Sequence, residues 1–247
     1  IGHILLDMGK ITPSEAERIL RLQKESGLRF GDAALKLGLI TEEDIQLVLA
    51  QQFDYPYLLP GQGNHPPELV VAYQPFGAQV EVFRAVRSQL MLRWFTTGHK
   101  ALAIVSYNPG DGVSLFAANL AIVFSQLGER TLLIDSNLRY PQQHEIFNIK
   151  NKQGLSDVLA GRAGISEVIA RIDAFIDLSV LPAGTPPPNP LELLNRSSFD
   201  NINDQLADQF DIILYDTVAF SNGTDALAIA ARTDGALLVA SKNNTRL

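Results

Sequence analysis

Ala101-Leu-Ala-Ile-Val-Ser-Tyr-Asn-Pro-Gly-Asp-Gly-Val-Ser114 is the stretch that decides the fold. Ala101–Ser106, apolar up to its closing serine, reads as a buried strand. Tyr107 to Gly112 reads as a glycine-rich turn, and a long apolar helix with many small residues follows from Ser114 to about Leu127. Strand, glycine turn and helix in this order form a phosphate-binding loop. Its backbone N–H groups cradle phosphate, and the closing Ser or Thr reaches a Mg²⁺. Such a loop ends in Gly-Lys-Ser/Thr, but here Gly112 and Ser114 flank Val113, so the cation is missing. The candidate nucleotide-binding residues are Asn108, Pro109, Gly110, Asp111, Gly112, Val113, Ser114 and Leu115.

Further strands are expected at Thr131–Ile134, Leu178–Leu181, Ile212–Tyr215 and Ala236–Ala240. Helices are expected at about 79–95, 155–172 and 226–232, with more between the Pro-rich loop Pro182–Pro190 and Asp208. Apolar strands alternating with helices predict an α/β fold, a mostly parallel sheet covered on both faces. Two acidic residues close strands: Asp135 in Leu132-Leu-Ile-Asp135-Ser-Asn137-Leu-Arg139, and Asp216 in Ile212-Ile-Leu-Tyr-Asp216-Thr217. Ligands of such sheets bind beyond the carboxyl ends of the strands. Either Asp alone reads equally as a cap or turn residue. Together, beside the loop, Asp135 and Asp216 suit a hydrated Mg²⁺ shared with Ser114.

The N-terminal 53 residues are of another kind. They repeat after 29 residues: Gly2 matches Gly31, Gly9 matches Gly38, Thr12 matches Thr41, and Gln23 matches Gln52. Each unit reads as a short helix, a Gly stop, a turn and a second helix. Thr12-Pro-Ser-Glu15 is a capping box with Pro in the first helical position, and Thr41-Glu-Glu-Asp44 repeats the cap. Residues 54–77 hold five prolines and three glycines and are expected as a linker. A small all-α domain, a linker and an α/β domain over 78–247 are therefore predicted.

The chain has 247 residues, 46% hydrophobic and 19% charged, which describes an ordinary globular composition. A net charge of −7 argues against nucleic acid as a partner. The absence of cysteine excludes disulfide and thiolate chemistry. No apolar run reaches the ~18–20 residues that span a bilayer. A chain that opens on Ile and stops just after a strand-like run is expected to continue at both ends in the natural protein. His3, His65, His99 and His144 are scattered without metal-ligand spacing.

Residues 79–247 resemble the bacterial tyrosine kinases of capsule and exopolysaccharide synthesis, notably the exosortase-associated type, which share the MinD/ParA-like P-loop fold. The resemblance is carried by Glu81-x-x-Arg84-x-x-Arg87, the loop Ser106–Ser114, Asn119-Leu-Ala121 and Asp135-x-Asn137-x-Arg139. Gly154-Leu-Ser-Asp-Val-Leu159, Pro187-Pro-Asn-Pro-x-Glu-Leu-Leu194 and Asp211-x-x-x-x-Asp216-Thr217 extend it. It implies ATP or ADP with Mg²⁺ as cofactors and tyrosine autophosphorylation as the activity. Asp135 and Asp216 would be catalytic, and Arg139 would join the nucleotide site. It also implies a homo-oligomer joined through Glu81, Arg84 and Arg87, although the same helix reads as a surface helix with one i,i+3 ion pair. A membrane-bound polysaccharide co-polymerase is the implied partner of a cytoplasmic chain. Val113 replaces the family's Lys or Arg, Asn137 its second Asp, and Val218-Ala219 its Pro-Pro, so nucleotide binding and catalysis are expected to be weakened.

Residues 1–52 resemble the N-terminal domain of type II secretion and pilus assembly ATPases, whose cyclic di-GMP-binding members carry two 24-residue motifs and a five-residue spacer. That resemblance implies cyclic di-GMP as a ligand of Gly2, Gly9, Gln23, Arg29, Gly31, Gly38 and Gln52. A helical docking module without a ligand is the alternative. Three functions stay open: a kinase-family exopolysaccharide protein with weakened catalysis, a pseudokinase scaffold coupling cyclic di-GMP to polymer assembly, and a MinD/ParA-type ATPase switch.

Overall fold

The computed structural model describes residues 1–52, 56–58, 62–233 and 235–241. The chain divides into two compact units, Ile1–Tyr57 and Leu58–Leu247. The expected boundary at 53/54 lies outside the described residues.

In the first unit, α1 (Gly2–Asp7) and α2 (Pro13–Ser26) are followed by α3 (Phe30–Lys36) and α4 (Glu42–Gln52). Gly9 and Gly38, equivalent in the repeat, turn the chain with φ of +66° and +67°. A side chain there would be strained, which is why both are glycine. Thr12 and Glu15 form the predicted reciprocal cap of α2. The Thr41 N–H and hydroxyl both donate to Asp44, and the Asp44 N–H donates to the Thr41 hydroxyl. Leu5, Ile11, Ile19, Ala33, Ala34, Ile40 and Val48 are the buried core.

In the second unit, α5 (Val70–Tyr73) and α6 (Ala78–Arg93) precede β1 (Ala101–Ser106), α7 (Val113–Ser125) and β2 (Thr131–Asp135). Then come α8 (Gln143–Ile146), α9 (Leu155–Leu159), α10 (Ile165–Val168), β3 (Ala170–Arg171) and β4 (Leu178–Leu181). The unit continues with α11 (Pro190–Leu194), α12 (Ser197–Ala207), β5 (Ile212–Asp216), α13 (Asp225–Ala230) and β6 (Ala236–Val239). The six-stranded sheet runs β3-β4-β2-β5-β1-β6. All neighbours are parallel except β3, which pairs antiparallel with β4. Separate apolar cores lie on the two faces of the sheet, one under α5, α6 and α7 and one under α11, α12 and α13.

Two expectations need correction. The helix expected over 155–172 is broken into α9, α10 and the edge strand β3, because Gly161 turns the chain with φ of +72° and Gly164 starts a new helix. Of the stretch expected as a linker, Leu58 and residues 62–77 pack into the second unit. Leu69, Val71 and Ala72 are fully buried there. The Asn119 side chain on α7 satisfies its backbone, accepting from the Val71 N–H at 3.0 Å and donating to the Glu68 carbonyl at 3.2 Å. Proline and glycine prevented a long helix without preventing burial, because the buried amide and local turns such as Leu69 N–H to the Pro66 carbonyl supply backbone hydrogen bonds.

Candidate nucleotide site

β1, β2 and β5 end beneath one cleft of about 490 Å³, lined by Ser106, Asn108, Pro109, Gly110, Gly112, Val113, Ser114, Asn137, Tyr140, Gln142, Val218, Ala219 and Asn222. Its size suits a small organic ligand. Gly110 and Gly112 have φ of +87° and +77°, so the loop curls back on itself before α7 begins. The Asn108 N–H donates to the Asp111 carboxylate at 3.1 Å, which closes the turn. No side chain caps α7. Its first amides therefore have no partner within the helix, and the positive end of the helix dipole meets the cleft. That arrangement binds anions. Among the described residues, no Lys, Arg or His side chain lines the cleft. Asp111 and Leu115 face a neighbouring groove instead, shared with Gln79, Val82, Phe83 and Phe116.

The two strand-end acids come together as the sheet register requires. Asp135 pairs directly with Asp216 across β2 and β5, and both are fully buried. Neither lines the cleft; they lie beneath it. Asp135 accepts from the N–H groups of Asn137 (3.2 Å), Gln142 (3.0 Å) and Gln143 (2.9 Å). Burial, followed by the Asp216 charge, holds the Asp135 carboxyl well above the ordinary carboxylate range, against those three donors. Burial pushes the Asp216 carboxyl up to about 6, although Gln143 and the nearby Ser114 favour its charged form. Two buried like charges side by side disfavour full ionisation, and a cation beside them would reverse that.

Three residues of this site have no sequence signal. Gln143 is fully buried, and its Nε2 donates to the Ser114 carbonyl at 2.9 Å and to Asp216 Oδ2 at 2.8 Å. Asn222 and Tyr140 close the cleft walls. A glutamine two residues past a proline, or an isolated Asn or Tyr, carries no pattern that periodicity or motif spacing detects.

The residues also fit a divalent ion. Among the described residues no three His, Cys, Asp or Glu side chains gather as a metal cluster. Mg²⁺ does not need one, because it uses one or two carboxylates and keeps several waters. Among the described residues, Asp216 Oδ1 and Gln143 Oε1 are buried acceptors without a partner, as a site built to receive a cation or its water would leave them.

Arg139 is placed otherwise than expected. It does not line the cleft; its guanidinium pairs with Asp225 at the start of α13. The α6 residues are also engaged within their own unit. Arg84 bonds Glu81 and the Pro75 carbonyl, and Arg87 donates to the Val123 carbonyl at 2.7 Å. In the first unit, Gly2 and Gly31 are closely packed: a Cβ would lie 3.1 Å from the Phe30 ring and from Ile45 Cδ1, respectively. These two glycines are accounted for by helix packing. Arg29 and Gln52 are exposed and Gln23 is half-buried. Lys10 pairs with Asp44 at 2.7 Å.

Comparison with known proteins agrees with this architecture. No family model matches the chain. It is 37% identical over 180 residues to the putative tyrosine-protein kinase CapB of Staphylococcus aureus, covering 71% of this chain and 78% of that protein. Its fold is similar to the crystal structure of the chimerical protein CapA2B2, with a TM-score of 0.69, 35% identity, and coverage of 83% and 87% of the two chains. It is also similar to the cell division ATPase MinD of Pyrococcus furiosus, with a TM-score of 0.50, 27% identity, and coverage of 57% and 59%. The fold is thus that of a MinD-like P-loop protein.

Proposed function

The chain belongs to the bacterial tyrosine-protein kinase family, and from that premise we propose that its cleft binds a magnesium–adenine nucleotide weakly. In this reading it serves exopolysaccharide or capsule assembly with reduced tyrosine phosphorylation. One observation carries the reading: loop, Ser114 and both strand-end acids are retained, while among the described residues no cationic side chain lines the cleft. A charge-assisted contact to phosphate contributes about 1.5–3 kcal/mol to binding. In phosphoryl transfer such a cation affects rates by ~10³-fold or more. Ser114, Asp135 and Asp216 would hold the magnesium, which supplies charge neutralisation across the phosphate oxygens. Asn137 carries no charge, and its Oδ1 accepts the Tyr140 N–H at 3.1 Å. Calorimetry with Mg·ADP, together with phosphotyrosine detection after incubation with Mg·ATP, tests this. Submicromolar affinity or rapid autophosphorylation would refute the weakening; absence of any nucleotide binding would refute the site.

The partner in this reading is a membrane-bound polysaccharide co-polymerase, which would place the chain at the cytoplasmic side of a membrane. Among the described residues, no helix is long and apolar enough to cross one. Self-association through α6 is part of the same reading, supported by its exposed Val82 and Leu92.

A second reading concerns the first unit. The equivalent conformations of Gly9 and Gly38 and the paired caps support a true tandem repeat. With its resemblance to the pilus ATPase domain, this favours cyclic di-GMP as the ligand, met by exposed Arg29 and Gln52 and by Gln23. Calorimetry with cyclic di-GMP on the chain and on Arg29→Ala decides it. Absence of heat at tens of micromolar ligand leaves a docking module.

A further inference from the structure

One residue touches the machinery at the end of all three central strands, through its backbone at one and its side chain at the other two. Gln143, the first residue of α8, gives its backbone N–H to Asp135 at the end of β2. Its Nε2 meets the Ser114 carbonyl in the helix that follows β1, and Asp216 Oδ2 at the end of β5. The amide can sit only this way round. A carbonyl oxygen and a carboxylate oxygen are both acceptors, so the nitrogen must face them and uses both of its hydrogens. Gln143 Oε1 is consequently turned away from them, fully buried, with no partner. Asp216 Oδ1 is in the same state. Two orphaned acceptors on groups bonded to each other, beneath a cleft with a helix N-terminus, are a costly arrangement unless a donor arrives.

We propose that Gln143 is a metal-positioning residue, whose Oε1, with Asp216 Oδ1, accepts hydrogen bonds from the water shell of the divalent cation that accompanies the nucleotide. The proposal rests on the reading of the cleft as a nucleotide site. Mg²⁺ keeps most of its waters, and those waters are donors that need acceptors around them. In this chain the second acidic position of the motif is Asn137, which carries no charge and whose Oδ1 already accepts the Tyr140 N–H. Gln143 offers a replacement acceptor from eight residues beyond Asp135.

The test uses the whole chain and Mn²⁺ as the probe ion. ADP affinity is measured by calorimetry in EDTA and again with Mn²⁺, and the bound ion is followed by its electron paramagnetic resonance spectrum. The parent should bind ADP more tightly with Mn²⁺. Gln143→Met keeps the bulk and removes both polar atoms. The ratio of its ADP affinities with and without Mn²⁺ should fall roughly 10–100-fold below that of the parent, the usual effect of removing a partner from a metal's outer shell. Gln143→Glu keeps an acceptor and loses the donors, and it sets a third carboxyl beside Asp216 whose repulsion a cation relieves, so it should retain or enlarge the gain. If Gln143 were only a structural tie between Ser114 and Asp216, Gln143→Glu would fail as Gln143→Met does, and that result overturns the proposal. A full Mn²⁺ gain in Gln143→Met also overturns it. If Gln143→Met does not fold, loss of the gain in folded Gln143→Glu is enough to reject it. A parent that binds ADP equally with and without Mn²⁺ refutes the metal role alone. A parent that binds no ADP in either condition refutes the nucleotide reading, and this proposal with it.

Discussion

Arg139 and Asp225 form a two-pronged ion pair, with Nε on Oδ2 and Nη2 on Oδ1 at 3.2 Å. The pair joins the loop after β2 to the start of α13. The two partners are unequally exposed, 35% for the Arg139 side chain and 4% for that of Asp225. Gly223 lies against the guanidinium: a Cβ there would come within 3.1 Å of Arg139 Nε.

The unequal exposure predicts unequal costs. Arg139→Ala leaves a buried carboxylate unpaired and should destabilise the second unit by about 2–4 kcal/mol. Asp225→Ala leaves a half-exposed guanidinium that can turn to water, at a cost of about 1 kcal/mol. Urea unfolding of both variants checks this. Equal costs would mean that Asp225 is not desolvated as the structure has it.

Val113→Lys should tighten Mg·ADP binding by about 1.5–3 kcal/mol, read by calorimetry. Val113 sits at the first position of α7, half-buried against the core under that helix. A lysine stem can follow the same apolar surface and extend its ammonium into the cleft. An unchanged affinity would show that the loop backbone no longer matches a polyphosphate.

Asp157 holds the turn after Gly154 to the loop at Thr185. It accepts from the Gly154 and Thr185 N–H groups and the Thr185 hydroxyl, each at 3.1 Å, and pairs with Arg162 at 3.0 Å. Burial acts to raise its pKa, but the Thr185 and Gly154 donors and Arg162 outweigh it and hold the carboxyl below the ordinary range. A depressed folded pKa means stability that is full above the unfolded carboxylate range and is lost as pH falls through the folded value. Asp157→Ala should cost about 2–4 kcal/mol at neutral pH. Denaturant titrations from neutral to acid pH should show that the difference from the parent narrows only at the acid end. A constant difference would sink the assignment.

Arg84 and Arg87 act within their own unit, so their removal should be felt without any assembly. The double change to Ala frees the Pro75 and Val123 carbonyls and should cost about 1–3 kcal/mol in urea unfolding. Light scattering on the same variant addresses the oligomer separately. A fall in mass with unchanged stability would show that the arginines work between chains rather than within one.

The α/β class, the phosphate loop and the two acidic strand ends were legible because each is local. A strand announces itself by an apolar run, a phosphate loop by glycines at fixed offsets, and the tandem helices by a repeat with matching caps. The helix expected at 155–172 failed because glycine breaks act locally in ways that a hydrophobic pattern overrides on paper. Residues 62–77 pack despite their prolines and glycines, helped by Asn119, far away in sequence, which bonds the Val71 N–H and the Glu68 carbonyl.

The sequence alone marked the glycine loop with Val113 in place of a cation and the two acidic strand ends. Only the tertiary structure decided where their polar atoms go. The register of β2 against β5 sets Asp135 beside Asp216 below the cleft. The return of the chain through α8 buries Gln143 between them and Ser114, and the packing of α13 draws Arg139 to Asp225. A buried hydrogen bond depends on distance and direction between atoms far apart in the chain, and no residue pattern carries either quantity.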